Sequence, residues 1–284
     1  MALVFFALLC GFAALRELFF SYQGTAKSLS QSRNAAKNRE EEFVLVFFAL
    51  LCGSASLREM LPAESPEFPP LNWKRFFSKP ENAHLTPELR ARIQASFDQA
   101  ASDEEHFPST IDPRIYHVKL IREHLGELRG RRVLDVGCGK GRFARVFQSQ
   151  EPEAELWGLD ISEEMLRFVP AGIHTRAGSM TELPFEDAFF DGAYATESLE
   201  HAVEIEKAVS EICRVVKPGG RIVVIDKNAE HWGRLDTPEW EKWFTPKQLE
   251  RLLAQHCAHV SSRLISYWED VEPDGLFVAW LAVK

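Results

Sequence analysis

The chain has 284 residues, 45% hydrophobic and 26% charged, which suits one sizeable core with a smaller element appended and indicates neither disorder nor a collagen-like repeat. Its 33 basic against 42 acidic residues give a net charge of −9, arguing against general affinity for nucleic-acid backbones, so no nucleic-acid partner is expected. The five cysteines (Cys10, Cys52, Cys138, Cys213, Cys257) are scattered with no Cys-x-x-Cys pair. They read as free thiols in a reducing, cytoplasmic setting, neither zinc ligands nor a disulfide framework.

Residues 1–60 hold a duplication. Leu3–Gly11 returns unchanged as Leu45–Gly53, and Leu15-Arg16-Glu17 matches Leu57-Arg58-Glu59. Two copies are too few for a solenoid. Each apolar run is shorter than the roughly 20 residues that cross a bilayer as a helix, and no basic segment precedes the first, as a signal peptide requires. Three readings stay open: a membrane-surface anchor or helical hairpin, a cleaved targeting segment, and a leader with no folded role, which includes the case that Met60 is the true start. The first would make the protein membrane-associated. Residues 61–70 are proline-rich and read as a linker.

Residues 71–127 follow a helical pattern. Thr86-Pro87 is an N-cap followed by proline in the first turn, and Leu89 to Phe97 carries apolar residues at helical spacing. A second helix is expected from about Pro113 to Leu128, with Ile115, Val118, Ile121 and Leu125 on one stripe. Trp73, Tyr116 and His117 either pack in the core or face a substrate pocket.

From residue 128 to 284 the pattern alternates strands and helices. Val133 to Val136 reads as a strand that enters a loop with Gly137, Gly139 and Gly141, and a helix begins at Phe143. Strand, glycine-rich turn and helix in that order form the first crossover of a doubly wound nucleotide-binding sheet. A dinucleotide fingerprint needs glycine at the sixth position, where this chain has Arg142. Ala154 to Ile161 is the second strand, ending in Asp160, placed to accept both hydroxyls of a ribose. Ser162 to Val169 reads as a helix and Ile173 to Ala177 as the third strand, followed by Gly178-Ser179-Met180-Thr181-Glu182-Leu183-Pro184-Phe185. Phe189 to Ala195 is the fourth strand, with Thr196-Glu197-Ser198-Leu199-Glu200-His201 at its carboxyl end. A helix from Val203 to Val216 leads through Lys217-Pro218-Gly219-Gly220 into a fifth strand, Arg221 to Asp226. Lys227 to Phe244 is rich in tryptophan and charge, a composition that suits a substrate cap and also suits core packing. Thr245-Pro246-Lys247-Gln248 is a capping box, and two strands, Val260 to Trp268 and Leu276 to Val283, turn at Pro273-Asp274-Gly275.

Asp135 followed by Gly137, Gly139 and Gly141 resembles motif I of the class I S-adenosylmethionine-dependent methyltransferases. The Leu-Pro-Phe segment, the Glu200-His201 pair and the Lys-Pro-Gly-Gly turn are similar to those of the small-molecule group that includes the quinone-biosynthesis enzymes. The resemblance implies an α/β fold: a Rossmann-like, doubly wound, seven-stranded sheet with a C-terminal antiparallel hairpin, covered by N-terminal helices that lid the cofactor. It implies S-adenosyl-L-methionine as cofactor. Asp135, Gly137, Cys138, Gly139 and Gly141 would lie along its methionine part, Asp160 on its ribose, and Ile161 and Met165 beside its adenine. Ser179 stands where the family commonly has an acid that contacts the adenine amino group. Met180 and Thr196 complete the expected cofactor set. The Asn/Asp-Pro-Pro-Tyr/Phe sequence of enzymes that methylate DNA or glutamine is absent, which argues against those substrates; the resemblance implies a small-molecule substrate, methylated at oxygen first, then carbon or nitrogen.

His201 is the candidate general base, on the premise of a pKa near working pH; capping the next helix is the competing role. Glu197-x-x-Glu200-His201 also resembles the spacing of quinone-ring and small-RNA 2′-O-methyltransferases that use a divalent cation. Glu197, Glu200, His201 and His231 are therefore candidate ligands for Mg²⁺. The rival functions are a catalytically inactive, cofactor-binding or membrane-tethered scaffold, and an NAD-dependent reductase.

Overall fold

Five strands, β1 (Arg132–Val136), β2 (Glu155–Asp160), β3 (His174–Ala177), β4 (Phe190–Thr196) and β5 (Val216–Lys227), pair in parallel. β7 (Phe277–Val283) runs antiparallel between β5 and β6 (His259–Ile265). The sheet order is β3-β2-β1-β4-β5-β7-β6, the doubly wound arrangement with a C-terminal hairpin expected from the sequence. This computed structural model describes residues 84–284; the apolar duplication, the proline-rich linker and Trp73 lie outside the described residues.

Strands buried on both faces need apolar side chains at consecutive positions, and successive residues feed opposite cores. Leu134 and Val224 face one cluster, with α5 (Ile205–Val215) and α6 (Pro246–Leu253). Val133 and Val223 face the other, with α2 (Tyr116–Leu125) and α3 (Arg142–Gln150). Ile212, Leu249 and Trp280 anchor the first; Ile121, Phe147 and Tyr194 anchor the second. All six are at most 2% exposed. At roughly 25 cal/mol per Å² of apolar surface, these two layers carry the stability of the fold.

Local signals set the helix boundaries. Thr86 caps α1 (Pro87–Ala100), its hydroxyl accepting from the Leu89 amide at 3.2 Å. Thr245 and Gln248 close the expected capping box on α6. Ser162 caps the short α4 (Glu163–Leu166) through the Met165 amide. α2 stops short of the expected end near Leu128 because Gly126 ends it with a positive φ of 76°. The Lys217-Pro218-Gly219-Gly220 turn lies within β5: Val216 pairs with Phe190 and Arg221 with Gly192, so the intervening residues bulge from the ladder.

Cys138, Cys213 and Cys257 are buried thiols, and the sulfurs of Cys213 and Cys257 lie 3.8 Å apart. Among the described residues no helix is long and apolar enough to cross a membrane.

Candidate active site

The site grows from the loop after β1. The amides of Gly137 and Cys138 donate to the Leu159 carbonyl at 2.7 and 2.9 Å, folding the loop onto β2. Gly137 (φ 72°) is compulsory, because a Cβ there would lie 2.5 Å from that of Ser198. At Gly139 (φ 51°) a Cβ would meet nothing within 4 Å and would enter the open cavity. The Cys138 side chain turns the other way and packs over Gly158, and burial pushes its thiol well above the usual range. It is no nucleophile.

Asp160 at the tip of β2 holds this loop. Its Oδ2 accepts from the Gly139 amide at 2.7 Å and its Oδ1 from the Ser162 amide at 2.9 Å. Burial raises its pKa, and it raises that of Asp135 to about 7. Asp135 Oδ2 and Thr196 Oγ1 are buried without a hydrogen-bond partner. Orphaned polar atoms are costly unless something supplies the partner, and both residues border a cavity of about 380 Å³, within the range of small-ligand sites. Orphaned acceptors beside a glycine loop with room to spare fit an S-adenosyl-L-methionine molecule. Ile161, Met165, Ser179 and Met180 border the same cavity. The Ser179 hydroxyl, however, is engaged in its own turn, accepting from the Thr181 amide at 3.2 Å and lying 2.8 Å from Thr181 Oγ1.

The N-terminal helices cover this cavity. Ile93 and Phe97 of α1 and His106, Phe107 and Pro108 of the next segment border it. Asp98 accepts from the Ser162 hydroxyl at 2.6 Å. The buried Lys140 ammonium donates to the Asp103 carbonyl at 3.2 Å and to Glu104 at 2.7 Å, fastening the strap 103–109 to the glycine loop. That bond and the Ser109 amide hold the Glu104 carboxyl down at about 2.

A polar cluster completes the cavity wall. Glu200 and His201 lie in a 3-10 turn after β4, Asp226 and Lys227 end β5, and Glu241 comes from the tryptophan-rich insert. Lys227 pairs with Glu200, and with Glu241 Oε1 at 3.1 Å. The same Oε1 accepts from Trp243 Nε1 at 2.6 Å, which leaves Glu241 Oε2 toward His201 Nδ1 at 3.8 Å. Glu200 and Asp226 are both pushed up by burial, and the Glu200 amide donates to Asp226 Oδ2 at 3.0 Å. The His201 imidazole is pushed down to about 3 by burial and then by the Lys227 charge.

Two expectations change here. His201 does border the cavity, with Phe97 edge-on to it at 5.1 Å, but its premise as a base with a pKa near neutrality fails: it is uncharged and weakly basic. The set Glu197, Glu200, His201, His231 does not assemble. Glu197 bonds to Arg142 at 3.2 Å and to the Tyr267 hydroxyl at 2.9 Å, and the His231 ring packs against Gly275. Glu241 takes the vacant corner, its ligand atom within 4.8 Å of those of Glu200 and His201, and the Lys227 ammonium is already shared by these two carboxylates. Lys227 and Glu241 were missed because no local motif marks them. Only the β5 terminus and the folded-back insert bring them together. His117 and Tyr116 lie outside the cavity lining; His117 is fully buried, stacked on Tyr267 at 4.5 Å.

Comparison with known proteins follows the same lines. The family described as "Methyltransferase domain" matches residues 134–224. The chain is similar to the O-methyltransferase cnsE of Penicillium expansum, 36% identical over 125 residues, covering 40% of this chain and 45% of the relative. It is 30% identical to the demethylmenaquinone methyltransferase of Lactococcus lactis over 157 residues, covering 51% and 62%. The chain thus spans about half the length of the curated relatives it matches. A methyltransferase of Haloferax volcanii, solved in complex with the Trm112 methyltransferase activator, superposes with a TM-score of 0.56 at 18% identity, covering 67% of this chain and 96% of the other. The doubly wound sheet, the antiparallel hairpin and the glycine loop agree with these matches, which support a class I S-adenosylmethionine-dependent methyltransferase.

Proposed function

We propose that the protein transfers a methyl group from S-adenosyl-L-methionine to a small-molecule acceptor, at oxygen first, then carbon or nitrogen. The observation that carries this reading is a single covered cavity bordered both by the glycine loop with Asp160 and by the polar cluster of Glu200, His201 and Glu241. The oxygen preference leans on relatives named as O-methyltransferases.

Asp135, Gly137, Cys138, Gly139, Gly141 and Thr196 would hold the methionine part, Asp160 the ribose, and Ile161, Met165, Ser179 and Met180 the adenine. The bound cofactor supplies an electrophilic methyl group on a sulfonium. The protein orients an acceptor beside it and keeps water out, an effect worth up to roughly 7–11 kcal/mol of barrier. Of the expected lid, the described residues 84–127 cover the cavity. A neutral His201 orients a hydroxyl through Nδ1 without removing its proton, and Glu241 is the carboxylate placed to accept that proton. Mg²⁺ has no role in this reading, because Lys227 already supplies the positive charge between Glu200 and Glu241.

The test is incubation of the full chain with methyl-labelled S-adenosyl-L-methionine and a mixture of small aromatic hydroxyl compounds. Label in the extractable product supports the reading. Cofactor bound with no label transferred to any acceptor would favour the scaffold.

A further inference from the structure

The reading above leaves the acceptor's chemical class open, and the charges around the cavity narrow it. Six carboxyl-bearing residues border it: Asp135, Asp160, Glu197, Glu200, Asp236 and Glu241. Three permanent cations do so: Lys140, Arg142 and Lys227. Each of the three is paired, Lys140 with Glu104 at 2.7 Å, Arg142 with Glu197 at 3.2 Å, and Lys227 with both Glu200 and Glu241. His201, at the same wall, is uncharged.

At the acceptor end an anionic group would find no unpaired cation, because Lys227 is already shared by Glu200 and Glu241. Seating a carboxylate or phosphate there means desolvating it against Glu200, Glu241 and Asp226, with Lys227 the only ammonium among them and already shared. Burying such a charge without a partner is strongly unfavourable. Apolar and aromatic side chains make up more of the lining: Phe97, Phe107, Leu235, Pro238 and Trp240 border the cavity. Trp240 Nε1 and His201 Nδ1 are buried with no hydrogen-bond partner, the indole offering a donor and the imidazole nitrogen either role. A neutral hydroxyl can donate to Glu241 Oε2, which lies 3.8 Å from His201 Nδ1, whereas a carboxylate is repelled by that oxygen.

We infer that the acceptor is an uncharged, flat hydroxyl compound of the phenol class, and that the paired acidic wall of Glu200, Glu241 and Lys227 excludes carboxylate and phosphate acceptors. This rests on the methyltransferase reading of the same cavity. Specificity here comes from repulsion of the wrong class as much as from contacts to the right one.

The experiment is calorimetric titration of the full chain, first with S-adenosylhomocysteine and then, once saturated, with 2-naphthol or 2-naphthoate, two probes sharing one ring system. The expected result is 2-naphthol bound at least about tenfold more tightly than 2-naphthoate. In Glu241→Gln, whose amide oxygen can still meet Trp243, the ratio narrows several-fold through gained 2-naphthoate affinity. Glu200→Gln serves the same purpose should Glu241→Gln fold poorly. Equal or tighter binding of 2-naphthoate, or a ratio that neither variant alters, overturns the inference, as does failure of 2-naphthol to bind the saturated protein. Failure of S-adenosylhomocysteine in the first titration sinks the methyltransferase reading instead, so the two failures are distinct.

Discussion

The Asp160 carboxylate accepts the Gly139 amide at 2.7 Å, so one side chain at the tip of β2 fixes the loop after β1 and also borders the cavity. Its other oxygen holds the Ser162 amide at the start of α4. Asp160→Ala removes both acceptors. Hydrogen bonds to a buried charge contribute about 1.5–3 kcal/mol each, less the desolvation that raises this carboxyl's pKa. The variant should lose measurable stability in urea and bind S-adenosylhomocysteine at least about tenfold more weakly. Asp160→Asn, which keeps one acceptor oxygen, should fall between.

Two glycines of one loop should fail differently. Gly137→Ala drives a Cβ to 2.5 Å from that of Ser198 and should lower the melting temperature sharply. Gly139→Ala meets no protein atom within 4 Å; its left-handed backbone costs about 1–2 kcal/mol, so the fold survives. Its methyl group occupies ligand space instead. Thermal unfolding and S-adenosylhomocysteine titration on both variants separate the two effects.

His117 places two ring nitrogens in the core with no partner. Burial pushes its pKa down to about 4. The unfolded chain therefore binds a proton the native state refuses: the stability linked to this group is present above about pH 6.5 and lost as pH falls toward 4. His117→Phe keeps the contacts with Tyr267 and Phe277 and removes the unpaired nitrogens. It should gain about 1–3 kcal/mol near neutral pH and unfold less readily in acid. His201 shifts in the same direction, so the flattening between pH 4 and 6.5 will be partial. Urea titrations across that range check both the gain and its slope.

Glu104 fastens the strap to Lys140. Glu104→Gln weakens that fastening without touching the cavity lining, so S-adenosylhomocysteine should dissociate several-fold faster while the melting temperature barely moves. Stopped-flow tryptophan fluorescence reads the rate.

How much of this was legible in the sequence follows from how local each signal is. The glycine loop, Asp160 and the capping residues Thr86 and Thr245 act within a few residues of themselves, and their patterns were readable. So was the succession of strands and helices, because consecutive buried runs alternate with amphipathic helices. The acceptor end was only half legible. Glu200 and His201 follow β4 directly, but Lys227 and Glu241 join them through folding of the insert. Glu197 carries the right residue type at the right spacing, yet Arg142 and Tyr267 claim it. The His201 pKa was misjudged for the same reason: burial and the Lys227 charge are tertiary effects.

The central claim is that the glycine loop and Asp160 form a site for S-adenosyl-L-methionine rather than for a dinucleotide. Calorimetric titration of the full chain with S-adenosylhomocysteine, beside a matched titration with NAD, tests it most directly. The account predicts micromolar binding of the first, weakened in Asp160→Ala, and none of the second. A folded chain that ignores S-adenosylhomocysteine, or that binds NAD in its place, would contradict it.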